Sequence, residues 1–206
     1  MQAAQAQVRQ DLVRRAEREA GQLPMSPLVL VHEVARHVPD DAVIIDETIS
    51  SGGGLRDLLP CADAQSFFGL RGGGIGWGLP AAIGAKLAIP NRPVVALVGD
   101  GSAMYTNQAL WTAARESLAV VYVIFNNLSY RILKQRTHGL KGFSAQDDVY
   151  VGMDLLPAID FVGLARSLGV PGERVEKAAA IAPAVGRGLK SGGPYLVDAC
   201  IDPSFK

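Results

Sequence analysis

Polar residues with possible ligand chemistry follow two neighbouring apolar runs of this sequence. A Gly-Asp-Gly triplet at 99–101 follows the apolar run 94–98, and an asparagine pair at 126–127 follows the run 120–125. Asp100 would repel a bound diphosphate unless a divalent cation lay between them, and a hard cation such as Mg²⁺ takes its oxygen ligands from protein and phosphate alike. An asparagine side chain adds a neutral oxygen. The pattern therefore indicates a metal-bridged diphosphate site.

The glycines beside Asp100 are suited to such a site for a second reason. Gly99 and Gly101 let the chain turn sharply and expose backbone N–H groups, and the helix predicted a few residues later adds a partial positive charge. Taken singly, a Gly-Asp-Gly turn and an asparagine pair are usually a turn and a cap. Because 27 residues separate Asp100 from Asn127 and both follow a strand, a shared site is favoured.

The elements that must position these residues alternate along the chain. Apolar runs predict strands over 42–47, 94–100, 120–127 and 195–201. Helices are predicted over 27–37, 80–88, 106–116 and 159–168, with a broken helix over 175–189. This alternation indicates an α/β fold, an open parallel sheet with helices on both faces. Ligands of such sheets lie beyond the C-terminal ends of the strands, where both polar segments fall.

The chain divides into a short polar segment and one larger unit. Residues 1–24 are rich in Ala, Gln, Arg and Glu, show little apolar periodicity, and are predicted to be a linker or surface helix. Residues 25–206 are predicted to form a single domain, which suits a chain of 206 residues and 21.7 kDa.

Composition limits the partners and the compartment. Twenty basic and twenty acidic side chains give a formal net charge of zero, so nucleic acid is not expected as a partner. The longest apolar run is strand-sized, well below the roughly 20 residues that a spanning helix needs, so no membrane association is expected. Cys61 and Cys200 are the only cysteines; both are interpreted as packing residues, which suits a reducing, cytoplasmic location.

Four segments resemble the thiamine diphosphate-dependent enzyme family, in its diphosphate-binding (C-terminal) domain. They are RGGGIGWGLPAAIGAKLA, GDGSAMYTNQALWTAA, VVYVIFNNLSYRILK and GGPYLVDACIDPS. Within the family the chain is most similar to benzoylformate decarboxylase and is related to acetolactate synthase large subunits. The resemblance covers about residue 25 to the C-terminus and implies the thiamine diphosphate-binding fold, with thiamine diphosphate and Mg as cofactors and a 2-oxo acid as substrate.

The resemblance also implies a set of ligands. Asp100 and Asn127 would bind Mg²⁺ through their side chains, and Ser129 would bind it through its backbone carbonyl. Gly101 and Ser102 would donate to the diphosphate. The full set of cofactor-binding residues is Ser50, Gly73, Ile75, Gly99, Gly101, Ser102 and Tyr130.

The remaining members of this set have their own implied roles. Ser50 would reach the diphosphate from the loop after the first strand, and Tyr130 would pack beside it. Gly73 would contact the aminopyrimidine through its backbone, and Ile75 would support the bend of the cofactor. Acetolactate synthases usually have Met at that position, so Ile75 favours a decarboxylase. Without the resemblance, Ile75 and Tyr130 would both be interpreted as ordinary packing residues.

Two departures from the family affect the substrate and the chemistry. Arg136 stands where the benzoylformate enzyme has an aromatic side chain, which favours an acidic or polar substrate. The activating glutamate belongs to a pyrimidine-binding domain that this sequence does not contain, so no catalytic residue is assigned here. His138 is an alternative substrate contact, whereas His32 and Glu33 are expected to be a helix-surface pair.

Three forms of the protein are therefore compatible with the sequence. It is a fragment of a full-length decarboxylase or synthase, a natural subunit whose pyrimidine-binding domain lies on another chain, or a cofactor-binding module without catalysis of its own. The resemblance implies a homo-oligomer, because the cofactors of this family lie between domains of different subunits. Decarboxylation and carboligation both remain open.

Overall fold

The computed structural model describes residues 2–59 and 61–205. Its six strands are β1 (Val43–Glu47), β2 (Phe67–Gly69), β3 (Val94–Gly99), β4 (Val120–Asn126), β5 (Gly172–Val175) and β6 (Tyr195–Cys200). Its helices are α1 (Gln2–Glu19), α2 (Pro27–Ala35), α3 (Leu55–Leu58), α4 (Gly78–Ala88), α5 (Asp100–Ala103), α6 (Ala109–Arg115), α7 (Arg131–Gly139), α8 (Phe143–Asp147), α9 (Phe161–Ser167) and α10 (Ala178–Lys190).

All six strands form one sheet, in the order β2-β1-β3-β4-β6-β5, and every pair within it is parallel. The central strand β4 is buried along its whole length. Because successive side chains of a strand point to opposite faces, the alternating residues of β3 and β4 enter two separate cores. One core holds α2 and α10, and the other holds α4, α6 and α9. The predicted parallel sheet with helices on both faces is confirmed.

The sheet brings the ends of three strands together. From β1 the chain passes to β2 on one side and later to β3 on the other, so its direction reverses between β1 and β3. Such a reversal leaves a crevice beyond the C-terminal ends of the two strands, which is where ligands of open α/β sheets bind. Gly99 of β3 pairs with Phe125 of β4, so the strand ends that carry the predicted ligands are neighbours.

Helix α1 joins the polar N-terminal segment to the first core. Ala16 is fully buried in that core, and Leu12 and Val13 pack against it. A helix is therefore present where a linker or surface helix was predicted, and its inner face contacts α2 and α3. Its role as a linker between domains stays a prediction. Ser26 caps α2, accepting a hydrogen bond from the Val29 backbone N at 3.3 Å.

The prediction of a broken helix over 175–189 is wrong. Val175 ends strand β5, and α10 is continuous from Ala178 to Lys190 although it contains Pro183. Pro183 is exposed, so water can replace the helical hydrogen bond that proline cannot donate. Short helices α5, α7 and α8 are further differences from the sequence-based assignment.

Two side chains, those of His32 and Cys61, differ from their predicted surroundings. His32 is 6% exposed and therefore buried within α2, where a helix-surface pair was expected. Cys61 is exposed and Cys200 is half-buried, so the interpretation of both as packing residues is wrong for Cys61.

Within the described residues, no helix is both long and apolar enough to cross a membrane.

Candidate functional site

Asp100 ties together the ends of the two central strands. It directly follows β3 as the first residue of α5, and only 2% of its surface is exposed. One carboxylate oxygen, Oδ1, accepts from the Gly101 backbone N at 2.8 Å, and Oδ2 accepts from the Asn127 backbone N at 2.9 Å. Burial raises the pKa of Asp100 to about 6, although these backbone hydrogen bonds oppose the rise. This buried carboxylate forms no ion pair within the described residues.

Asn127 and Ser129 form the second half of the site. Leu128 between them has a positive φ of 61°, which reverses the chain directly after β4. The Asn127 side-chain oxygen accepts from the backbone N and from the hydroxyl of Ser129, both at 3.0 Å. Both residues are less than 5% exposed. The turn therefore holds the Asn127 oxygen close to Asp100.

The other asparagine of the pair has a structural role. The Asn126 side chain donates to Asp198 Oδ1 at 2.9 Å and accepts from the Leu128 backbone N at 3.3 Å. It thereby links β4 to β6 and closes the turn. Only Asn127 lines the cleft, as the metal assignment requires.

The donor set fits a hard divalent cation. One carboxylate, one amide oxygen and nearby backbone carbonyls are oxygen ligands of the kind that Mg²⁺ prefers. No cluster of three or more His, Cys, Asp or Glu side chains that could hold a metal occurs within residues 2–59 and 61–205. A cation bound here would therefore need further oxygen ligands from a molecule that binds together with it. The Ser129 hydroxyl can rotate, so one of its hydrogen bonds to Asn127 can be released for a cation.

Gly101 is required by the packing of Tyr130. A Cβ atom at Gly101 would lie 2.5 Å from Cε1 and 2.7 Å from Cδ1 of the Tyr130 ring. The ring therefore packs directly on the backbone of α5 and forms a wall of the cleft. The Gly101 N–H, predicted as a diphosphate donor, donates to Asp100 Oδ1 at 2.8 Å in this structure.

Glu47 fixes the glycine-rich segment that follows β2. Its carboxylate is 1% exposed and accepts from the backbone N atoms of Gly76, Trp77 and Gly78 at 2.7, 3.0 and 2.6 Å. The Thr106 hydroxyl donates to the Gly76 carbonyl at 2.8 Å. Glu47 therefore caps this segment and places the preceding residue, Ile75, at the cleft.

The structure brings the predicted site residues together with one exception. One cleft is lined by Ser50, Ile75, Gly99, Asp100, Gly101, Ser102, Asn127, Ser129 and Tyr130. Gly73 lines a larger adjoining cleft, which also has Ile75 and Tyr130 in its wall. Gly73 has a positive φ of 73°, which glycine adopts without strain. The two clefts meet at Ile75 and Tyr130.

Arg131 lines the smaller cleft and was missed by sequence reasoning. Its guanidinium donates to the Ser50 carbonyl at 3.0 Å, to the Ser51 hydroxyl at 2.8 Å and to the Asp202 carbonyl at 3.2 Å. Burial lowers the pKa of Arg131, while nearby acids oppose that change. Its position directly after Tyr130 was the only signal in the sequence. Thr48, Ile49 and Ile132 line the same cleft and were also missed.

Two residues considered as substrate contacts lie on α7. Arg136 is exposed, and it is not among the described residues that line the two clefts. The His138 ring nitrogen Nδ1 lies 2.8 Å from the Tyr150 hydroxyl, and the ring contacts Phe205 edge-on. The structure therefore does not place either residue at the cofactor cleft.

Comparison with known proteins identifies the domain. The family described as "Thiamine pyrophosphate enzyme, C-terminal TPP binding domain" matches residues 55–199. The chain is 39% identical, over 87% of its length, to "Putative acetolactate synthase large subunit IlvX" of Mycobacterium tuberculosis, covering 36% of that protein. It is 31% identical, over 85% of its length, to benzoylformate decarboxylase of Pseudomonas aeruginosa, covering 32% of that protein.

Solved structures agree with these sequence relatives. The thiamine diphosphate-dependent 4-hydroxybenzoylformate decarboxylase of Rhodococcus jostii RHA1 superposes with a TM-score of 0.82 and 34% identity, over 90% of this chain and 34% of that one. The chain thus spans about a third of the length of the proteins that it matches.

Proposed function

Because this chain belongs to the thiamine pyrophosphate enzymes, as their C-terminal TPP binding domain, we propose that it binds the diphosphate half of thiamine diphosphate through Mg²⁺. The observation that carries the proposal is the buried carboxylate of Asp100, which contacts the backbone of Asn127 at the shared strand edge. A buried carboxylate without a cationic partner is unfavourable, and a divalent cation at this position would relieve that cost.

The residues that line the two clefts would hold different parts of the cofactor. Asp100, Asn127 and the Ser129 carbonyl would hold the cation. Ser50, Gly101 and Ser102 would provide donors to the diphosphate, and Gly99 would permit the turn that presents them. Tyr130 would pack beside the diphosphate. Ile75 would support the bend of the cofactor, and the Gly73 backbone would contact the aminopyrimidine.

We further propose that the assembled enzyme is a 2-oxo acid decarboxylase of the benzoylformate decarboxylase type. The bound cofactor supplies an electron sink for carbon–carbon bond cleavage next to a carbonyl group. Ile75 and the similarity to decarboxylases of known structure support this assignment. This chain's own share is to anchor and orient the cofactor, because the activating glutamate is expected from a pyrimidine-binding domain in the same or another chain. A homo-oligomer and a cytoplasmic location belong to the same proposal.

An acetolactate synthase-like carboligase is the second candidate. The identity to the acetolactate synthase relative, 39%, exceeds that to the benzoylformate decarboxylase relative, 31%. Both reactions begin with a 2-oxo acid and need the same anchoring of the cofactor. Among the residues of this chain, Ile75 favours the decarboxylase over this second candidate.

Calorimetric titration of the 206-residue chain with thiamine diphosphate tests the binding proposal. We expect binding in the presence of Mg²⁺. Removal of Mg²⁺ by a chelator should lower the affinity tenfold or more, which corresponds to about 1.4 kcal/mol of binding free energy. Asp100→Ala should bind at least as weakly as the metal-free parent, because the cation loses its only carboxylate ligand.

Asp147→Ala is the matched control, because Asp147 is an exposed acid at the end of α8. It should bind as the parent does. If Asp100→Ala bound the cofactor with the affinity of the parent, the metal assignment would be wrong.

A further inference from the structure

Arg131 is a buried cation whose hydrogen-bond acceptors, among the residues that the structure describes, are all neutral oxygens. It is the first residue of α7 and is 6% exposed. Besides the Ser50 and Asp202 carbonyls and the Ser51 hydroxyl, it donates from Nε to the Ser50 hydroxyl at 3.3 Å. Four of its five N–H groups are engaged in this way among the described residues, which leaves one for a further acceptor.

The charge of Arg131 is not balanced by an ion pair within residues 2–59 and 61–205. Buried arginines are normally paired with an acid, since an isolated charge is costly to remove from water. Within the described residues, Arg131 has no carboxylate at ion-pair distance. Asp100 and Asp202 are near enough to favour its charged form, but neither side chain contacts it. If Asp100 holds a cation, even that partial compensation is lost.

A bound diphosphate would supply the missing negative charge. Arg131 lines the same cleft as Asp100, Ser50 and Ser102. A deprotonated organic diphosphate carries more negative charge than one divalent cation neutralises when that cation is also bound by a carboxylate. A guanidinium suits the negative charge that remains, because it presents several donors in a rigid plane that matches phosphate oxygens.

Arg131 also determines where Ser50 lies. Two of its hydrogen bonds go to Ser50 and a third goes to Ser51, so one side chain joins the loop after β1 to the start of α7. These elements are 80 residues apart in sequence. Ile49 has a positive φ of 51°, so the loop adopts an unusual backbone conformation that needs such support.

We propose that Arg131 is a further diphosphate-anchoring residue, which holds Ser50 at the cleft and supplies a fixed positive charge beside the metal. This inference rests on the proposed thiamine diphosphate binding and adds a residue that the family resemblance did not include. It predicts that removing the guanidinium weakens ligands that carry a diphosphate and leaves ligands without phosphate unaffected.

The test compares three ligands on the full 206-residue chain. Thiamine diphosphate, inorganic pyrophosphate and thiamine are titrated with Mg²⁺ present into the parent chain, Arg131→Gln and Arg131→Lys. We expect Arg131→Gln to weaken both diphosphate ligands by about tenfold or more, and any thiamine binding to stay unchanged. Arg131→Lys keeps the charge but cannot bridge Ser50 and Ser51 together, so its loss should be intermediate.

Arg136→Gln is the matched control, since it removes an exposed arginine from the same helix, and it should bind all three ligands as the parent does. Thermal unfolding of each variant separates binding from folding. If Arg131→Gln does not fold, the affinity of Arg131→Lys for thiamine diphosphate is the test instead. A parent-like affinity in Arg131→Lys would overturn the inference.

The outcomes separate this inference from the proposed function. If the parent chain binds thiamine diphosphate and Arg131→Gln binds it within about twofold, only the role of Arg131 is wrong. If the parent binds neither diphosphate ligand in the presence of Mg²⁺, the proposed function fails and the inference fails with it.

Discussion

At the scale of single residues, Gly101 has no room for a side chain. A Cβ atom at this position would face the Tyr130 ring and would lie 2.5 Å from its Cε1 atom. We expect Gly101→Ala to lower the free energy of unfolding by about 1–3 kcal/mol, the usual range for an overpacked site. Urea unfolding of the chain measures this change.

Gly139→Ala is the control, and its expected effect on the free energy of unfolding is zero or of the opposite sign. A Cβ at Gly139 meets nothing within 4 Å, and the residue lies in α7, so alanine should be neutral or stabilise the chain by up to about 1 kcal/mol. Tyr130→Ala should reduce the effect of Gly101→Ala, because it removes the ring that the new methyl group meets. Equal stability of Gly101→Ala and the parent would show that the ring moves aside freely.

At the scale of elements, Glu47 connects the end of β1 to the start of α4. Its carboxylate is the acceptor for three successive backbone N–H groups, those of residues 76–78. Glu47→Ala would leave these donors without an acceptor, at about 1–3 kcal/mol for each one that stays buried. We expect a large loss of stability, together with faster hydrogen exchange at Gly76 and Gly78.

Glu116→Ala is a suitable control, because Glu116 is an exposed acid at the C-terminal end of α6. It should change neither the unfolding free energy nor the exchange of the glycine segment. Unchanged exchange at Gly76 and Gly78 in Glu47→Ala would mean that the segment keeps its conformation without the carboxylate.

The elements that sequence reasoning missed are short or polar. Edge strands β2 and β5 have three and four residues, and β5 carries Glu173 and Arg174 in its middle. Such strands lack the apolar runs that identify β3 and β4, and charged edges are common because they discourage pairing with other chains. In α7 only Arg131 is buried, so no apolar periodicity marks this helix.

At the scale of the whole molecule, the chain spans about a third of the relatives that it matches. We expect it to decarboxylate 2-oxo acids only when combined with a pyrimidine-binding domain, because it has no assigned activating glutamate. Turnover of benzoylformate and of small 2-oxo acids, measured on the assembled enzyme, checks this expectation. Arg136 lies outside both clefts of this chain, so we expect benzoylformate to be the poorer substrate only where a further domain brings Arg136 to the substrate.

Asp100→Ala in the same assembled enzyme tests whether turnover depends on the proposed metal ligand. Activity that survives this substitution would contradict the metal role of Asp100, whereas inactivity of every assembled form would favour a cofactor-binding module without catalysis. A clear preference for benzoylformate would contradict the interpretation of Arg136 as a selector of polar substrates.

The fold class and most residues of the cleft were predictable from the amino-acid sequence. Apolar runs predicted the four longest strands, and residue types at the ends of two of them predicted oxygen ligands at Asp100 and Asn127, which line the same cleft. These signals are local, because burial on both faces of a parallel sheet produces an apolar run and a strand end exposes the residue that follows it.

The contacts between residues far apart in sequence follow from the fold. The Glu47 carboxylate reaches a segment 29–31 residues later, and Arg131 reaches a loop 80–81 residues earlier. Neither residue has a local signal, because its partners are backbone atoms and hydroxyl groups that occur everywhere in a sequence. Their identity as partners follows from the strand order, which places the ends of β1, β3 and β4 side by side.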